Sequence, residues 1–283
     1  MSEPVFGKDA LDEFARIYPA QVTKLRHSLI GHSLLDLDAI VQLATALPTD
    51  SVEYNPGNLP VGVDPKDIPT SQLSIAETVE SIENNGSWMV LKRIEQHPAY
   101  AALLHDTLGE LAHIVEPATG GMETCEGFIF ISSPNSVTPF HFDPEHNILL
   151  QTRGLKTMTV FPSGDEEFVR DEAHELFHLG KHHRNHAWRD EFADHGNAVE
   201  LRPGEAIYVP VKAPHWVKNG PEVSVSLSIT WRSSWSYAEA DARAFNHILR
   251  RFGLKPRSPA PFPSRNLAKS VAFRLIRKVG LAR

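Results

Sequence analysis

His141 and Asp143 stand two apart in Thr138-Pro139-Phe140-His141-Phe142-Asp143. In an extended strand, residues two apart leave the same face, so an imidazole and a carboxylate lie side by side as two metal positions. A third ligand must come from elsewhere in the chain, and His215 in Pro214-His215-Trp216 is the candidate. Two histidines and one carboxylate on one face leave coordination positions open, which suits non-haem Fe(II) binding an organic chelator and oxygen together. His146, close to Asp143, reads as a neighbour rather than a fourth ligand. Asn147 and Lys156 form a second constellation. A dicarboxylate chelator needs a cation for its far carboxylate, and Leu155, Met158, Val160 and Phe161 suggest that Lys156 lies in a partly buried strand. A buried lysine without an anion is costly or loses its proton. The competing reading is a surface lysine at a hairpin turn.

A rival metal pattern is His174-Glu175-Leu176-Phe177-His178. On a helix it places two imidazoles on one face beside a glutamate, the zinc-peptidase signature. Gly180 then stops the helix almost at once, and Arg184 stands where the longer signature has its third histidine. Six of the fifteen histidines fall between His174 and His195, so a chance match is the simpler reading: a solvated helix in an insert.

The elements that must position these residues change period along the chain. Residues 8–17 read as a short helix. Apolar residues from Leu34 to Ala44 predict a helix over His32–Ala46, and helical pattern returns over Ile75–Ile82, behind Ser74 as cap, and Pro98–Ile114. Residues 50–70, rich in proline and glycine, read as loop. Strands follow: Gly127–Ser132, then Asn147–Gln151 and Leu155–Phe161 as a hairpin around Thr152-Arg153-Gly154, then Ala206–Val209. Residues 165–179 look helical. Val223–Trp231 alternates, with Ser224, Ser226, Ser228 and Thr230 on one face; this small polar face lines a cavity or meets solvent. Strands at this spacing suggest a sandwich or barrel.

The insert at about 163–202 is long for a connection, and His182, His183, Arg184, Asn185 and Trp188 are placed there to meet substrate, or simply to form a surface loop. Formal charge is −7 overall, but from Asp241 onward eleven Lys/Arg face one acid, so the tail is near +10 and the rest near −17. Prolines 256, 259, 261 and 263 stiffen a linker, and Leu267, Val271, Leu275, Ile276 and Val279 share a helical face beyond it. Such a tail docks on the acidic body, pairs with a second copy as a homodimer, or meets anionic lipid or nucleic acid. Nothing like a nucleic-acid recognition motif accompanies it. Cys125 is the only cysteine, and neither a secretion signal nor a transmembrane segment is visible, which predicts a cytoplasmic protein.

The stretch Thr138 to Asn147, with Gly154-Leu155-Lys156, Phe161-Pro162 and Pro203 through His215, resembles the jumonji-C/cupin-like family. It is similar to the asparaginyl hydroxylase of hypoxia-inducible factor and to small bacterial cupin-like proteins often labelled transcriptional regulators. The resemblance implies a mainly β fold with α: a double-stranded β-helix (cupin or jelly roll) over 105–235, a helical N-terminal region over 1–104, and C-terminal helices over 236–283. It makes His141, Asp143 and His215 ligands of Fe(II), and Thr138, Asn147 and Lys156 contacts of 2-oxoglutarate, with Lys156 on the distal carboxylate. The implied activity is that of a 2-oxoglutarate-dependent dioxygenase, hydroxylating a protein side chain or small molecule. A non-catalytic cupin-like binding or regulatory protein is the alternative, and a zinc peptidase through His174, Glu175 and His178 the remote one. The chain departs from the hydroxylase at Ser228-Ile229-Thr230-Trp231, where that enzyme carries an asparagine near the metal and cofactor.

Overall fold

The computed structural model describes residues 3–56, 61 and 75–280. Two antiparallel sheets face each other. The larger has seven strands in the order β1-β9-β6-β11-β4-β3-β2: Thr23–Arg26, Glu205–Val209, His146–Arg153, Ser224–Arg232, Glu123–Ser132, Ser87–Lys92 and Val52–Pro56. The smaller runs β5-β10-β7-β8: Val137–His141, His215–Asn219, Lys156–Val160 and Asn197–Leu201. This is the expected jelly roll, mainly β with α.

Period-two alternation explains how one strand serves two cores. On β11, Val225, Leu227, Ile229 and Trp231 point outward to the helical layer. That layer comprises α1 (Lys8–Ile17), α2 (Leu37–Ala46), α3 (Ile75–Glu80) and α4 (Pro98–Thr119). Phe14 of α1 is fully buried there, edge-on to Tyr208 at 5.2 Å. The serine face of β11 is buried as well, so it lines the barrel interior and does not meet solvent. Beside it, Leu149, Met158, Val160, Ile207, Val209 and Val217 make the apolar part of that interior.

Several expectations are corrected. β6 and β7 are not a hairpin: β6 pairs with β11 and β9, whereas β7 pairs with β10 and β8. The turn at Gly154, in the left-handed region at φ 70°, carries the chain from one sheet to the other. A Cβ at Gly154 would lie 2.5 Å from the Val223 carbonyl oxygen, so the crossing needs glycine. The helix foreseen over His32–Ala46 begins only at Leu37, because Asp36 accepts the Ala39 N–H at 2.8 Å as its cap. The helix foreseen over 165–179 contracts to α5 (Asp171–Phe177). Ser74 and most of the loop over 50–70 lie outside the described residues.

At the C-terminus α6 (Ser234–Arg251) is held at its start by a Ser233–Ser236 capping box. α7 (Leu267–Lys278) docks on it through buried Ser270 and Phe273, with Ser270 and Arg274 both bonded to Asp241. The apolar stripe Leu267, Val271, Leu275 and Val279 is therefore the exposed side of α7, not its docking side. Among the described residues no helix is long and apolar enough to cross a membrane.

Candidate metal centre and its interior pocket

Backbone pairing brings the two histidines together. β10 lies between β5 and β7, with His215 directly opposite His141 on one side and Val160 on the other. Opposed residues share a face, and the two imidazole centroids are 4.2 Å apart. Asp143 lies just past the end of β5, and its Oδ2 is 3.8 Å from Nε2 of His141 and 3.6 Å from Nε2 of His215. Its backbone is pinned by the Lys212 N–H, which donates to the Asp143 carbonyl at 2.8 Å.

Each imidazole is oriented from behind. Nδ1 of His141 donates to the Pro139 carbonyl at 2.7 Å, and Nδ1 of His215 to the Ala213 carbonyl at 2.9 Å. A carbonyl only accepts, so both rings carry their proton on Nδ1 and present the Nε2 lone pair inward. Burial, then the neighbouring His215, pushes His141 down to about 3, so it is neutral across the physiological range. Burial alone would raise the Asp143 carboxyl; Arg184 and the two imidazoles bring it below the usual range instead. Two imidazoles and a carboxylate are the donor set of a divalent metal, and the three candidate ligand atoms lie within 4.8 Å of one another. Among the described residues this is the only such group of three.

The far end of the pocket follows from register. Lys156 lies four residues along β7 from Val160, the partner of His215, and therefore on the same face. Four residues of strand separate the two ends by roughly 13 Å of backbone. Lys156 is 3% exposed, which removes the surface-lysine reading. Its Nζ donates across the barrel to Ser226 Oγ at 2.5 Å and lies 5.7 Å from the Phe130 ring centre; among the described residues no carboxylate is its partner. Burial pushes its pKa down to about 7. Ser226 in turn donates to Gln151 Oε1 at 2.7 Å, and Gln151 Nε2 donates to Ser224 Oγ at 2.9 Å. Asn147, inward on β6, accepts from Ser228 Oγ at 2.8 Å. Thr138 is half-buried on β5, opposite Val217.

Sequence reasoning missed Gln151 in the polar lining around Lys156; Ser226 and Ser228 were on the alternating face read as lining a cavity or meeting solvent, and they line the cavity. It also missed Glu145, which burial and the charge of Asp143 push up to about 7. His146 points away from the metal ligands. It hydrogen-bonds Tyr208 Oη at 3.1 Å and Ser233 Oγ at 3.0 Å and stacks on Trp231 at 5.2 Å.

The peptidase pattern does not assemble. His174 packs against Phe142 at 4.4 Å and is held far below the ordinary histidine range, first by burial and then by Arg243. The Glu175 carboxylate is held by Arg250 Nε at 2.9 and 3.1 Å. Glu175 thereby fastens α5 to α6, while His174 packs on the segment just past β5.

Known proteins agree with this architecture. The Arabidopsis thaliana lysine-specific demethylase JMJ30 is 30% identical over 165 residues, covering 52% of this chain and 35% of that protein. The chain thus spans about a third of the length of the curated relative it matches. Among solved structures, Escherichia coli YcfD superposes over 100% of this chain and 71% of its own, with TM-score 0.54 and 16% identity. A second YcfD structure, described as a ribosomal oxygenase in complex with cobalt and 2-oxoglutarate, covers 99% and 70%, with TM-score 0.51 and 14% identity. At these identities the superposition speaks for the fold. The Cupin-like domain profile matches residues 38–237, which takes in both sheets from β2 to β11 and every ligand just described, so the chain belongs to the cupin-like domain family.

Proposed function

We propose that this protein is an Fe(II)- and 2-oxoglutarate-dependent oxygenase, with His141, Asp143 and His215 holding the iron and Thr138, Asn147 and Lys156 contacting the co-substrate. One observation carries the reading: a two-histidine, one-carboxylate face and an enclosed lysine with no carboxylate partner among the described residues occupy the same interior wall. The fit is chemical as well as spatial. A five-carbon keto diacid has a chelating end for the metal and a far carboxylate for the ammonium, and that carboxylate supplies the charge that Lys156 lacks.

Once bound, iron and 2-oxoglutarate would supply, with molecular oxygen as oxidant, oxidative decarboxylation to succinate and carbon dioxide, one oxygen atom going to succinate and the other into a substrate C–H bond. The chain's own residues supply position and exclusion of water. Pro139 and Ala213 carbonyls fix the imidazole tautomers. Ser226 and Gln151 hold the ammonium across the barrel. Ser228 occupies the late-strand region where the similar hydroxylase carries asparagine, and its hydroxyl engages Asn147. The kinship with a lysine-specific demethylase and the YcfD-like fold support a protein side chain as substrate. We further propose that the reaction is hydroxylation, and that the exposed stripe on α7 pairs two copies into a dimer.

Anaerobic loading with Fe(II), followed by oxygen and labelled 2-oxoglutarate, tests the reading. Oxygen-dependent succinate release, abolished in His141→Ala, is the expected result. Iron retention with no succinate under any condition would favour a binding or regulatory cupin. Product mass separates hydroxylation, a gain of one oxygen atom, from demethylation, which releases formaldehyde.

A further inference from the structure

The insert between β7 and β8 pairs with the ligand strand itself. The His186 N–H donates to the Phe140 carbonyl at 2.9 Å, and the Phe142 N–H to the Arg184 carbonyl at 3.3 Å. Asn185 forms an antiparallel bridge with His141. Residues 184–186 therefore act as a short extra strand on the free edge of β5, where an unpaired ladder would otherwise be exposed. Phe142, between the two ligand residues, is fully buried and stacked on His186 at 5.1 Å. These contacts fix the point from which the Arg184 side chain leaves the backbone.

From there the guanidinium reaches Asp143. Its Nη1 donates to Oδ1 at 2.8 Å, while Oδ2 is the oxygen that faces both imidazoles. The carboxylate is thus divided between two partners. Glu145, Glu53 and Glu126 lie within electrostatic range and hold the guanidinium at this end of the barrel.

We propose that Arg184 is a positioning residue for the metal carboxylate, engaging Oδ1 of Asp143 so that Oδ2 alone is donated to the ion. A carboxylate bound through both oxygens would occupy a further coordination position, one that a chelating co-substrate and oxygen need. This assignment rests on the metal-site reading above. It gives the insert a role beyond the two readings its sequence offered, substrate contact or surface loop: it is the template and brace of the ligand strand.

Co(II) titration of the full-length apo protein, followed by visible absorption and calorimetry, tests the assignment. Arg184→Met is expected to weaken Co(II) binding by about 10- to 100-fold, the usual effect of losing a partner behind a ligand. It should also change the Co(II) spectrum as Asp143 changes its mode of binding. Arg184→Lys should recover part of the affinity but not the spectrum, because an ammonium lacks the guanidinium fork. Arg189→Met, which removes another cation of the same insert, should leave both unchanged. Wild-type affinity with a wild-type spectrum in Arg184→Met overturns the assignment and leaves the metal site standing. Equal losses in Arg184→Met and Arg189→Met overturn it too, since insert folding would then explain the effect. Wild-type protein that takes up no Co(II) overturns the metal reading and this assignment with it. Should Arg184→Met fail to fold, Arg184→Lys decides, and a wild-type spectrum there overturns the proposal.

Discussion

Among the described residues two lysines are enclosed, Lys156 at 3% and Lys212 at 2% exposure, and their surroundings are opposite. Lys212 is in direct contact with the Glu239 carboxylate, which also holds Arg243; Arg243 in turn pairs with Asp171 at 2.7 Å. Every charge there has a counter-charge, and the network joins the loop after β9 to α5 and α6. Among the described residues Lys156 has only a hydroxyl and an aromatic face. A buried ammonium with no anion is unfavourable in the free protein, so such a residue is explained by what arrives later. The first lysine to meet in a functional search is therefore the one with incomplete partners, not the one with the most.

Removing each lysine should break the comparison in opposite ways. The largest effect falls on Lys212→Met, which takes one cation out of the buried network and leaves Glu239 and Asp171 sharing Arg243. A loss of about 3–5 kcal/mol in denaturant unfolding is expected. The double variant Lys212→Met/Glu239→Gln should regain part of it. A loss below about 1 kcal/mol would show that water already screens the pair.

Lys156→Met should leave the free protein as stable as the wild type, or more so, at pH 6, where the wild-type ammonium is charged and unpaired. Its effect falls on 2-oxoglutarate instead: a loss of about 2–4 kcal/mol in binding, or roughly 30- to 1000-fold in Kd, as when one partner of a buried charge pair is truncated. Calorimetry on the metal-loaded protein measures it. Unchanged Kd would mean that the far carboxylate binds elsewhere.

The pH dependence is a subtler version of the same contrast. Burial holds Lys156 at about 7 in the folded protein, against 10.5 ordinarily. Between those values the unfolded chain binds more protons than the folded one, so the Lys156 contribution to stability rises with pH. The melting temperature of wild type minus that of Lys156→Met should therefore climb from pH 7 towards 10. Binding runs the other way. A carboxylate needs the ammonium, so above pH 7 each bound 2-oxoglutarate must draw in a proton, and affinity should fall as pH rises. An affinity flat from pH 6.5 to 9 would contradict the ammonium–carboxylate pairing.

The ends of the pocket were legible in the sequence to different degrees, for a physical reason. His141 and Asp143 are local, and strand geometry places them together from spacing alone. His215 could be named as a candidate from its motif and strand context and then from family resemblance, but local spacing alone could not pair it, because pairing depends on β10 lying beside β5, a contact across more than seventy residues. The hairpin reading of β6 and β7 failed on the same point. Turn chemistry at Gly154 marks a reversal but does not say whether the next strand returns to the same sheet. The serine face of β11 was visible, while its burial was not, since alternation describes a half-exposed strand and an inner barrel wall equally well. Arg184 was left open between substrate contact and surface loop, because nothing in a loop sequence announces that its backbone pairs with a strand forty residues earlier.

The smallest expected effect concerns the histidine pattern on α5. Local spacing there matches a metal motif more literally than His141 and Asp143 match theirs, yet its histidines pack on aromatic and apolar neighbours and its glutamate holds Arg250. Glu175→Gln should change neither metal content nor succinate release. It should cost only about 1 kcal/mol, because the amide still offers an acceptor and Arg250 keeps Glu172 at 3.0 Å. Zinc-dependent peptide hydrolysis lost in Glu175→Gln would reverse the assignment, making α5 the catalytic element and the barrel site the structural one. The geometry points the other way: convergence of distant strands, not the spacing of residues along one helix, is what brings three ligand atoms into a common shell.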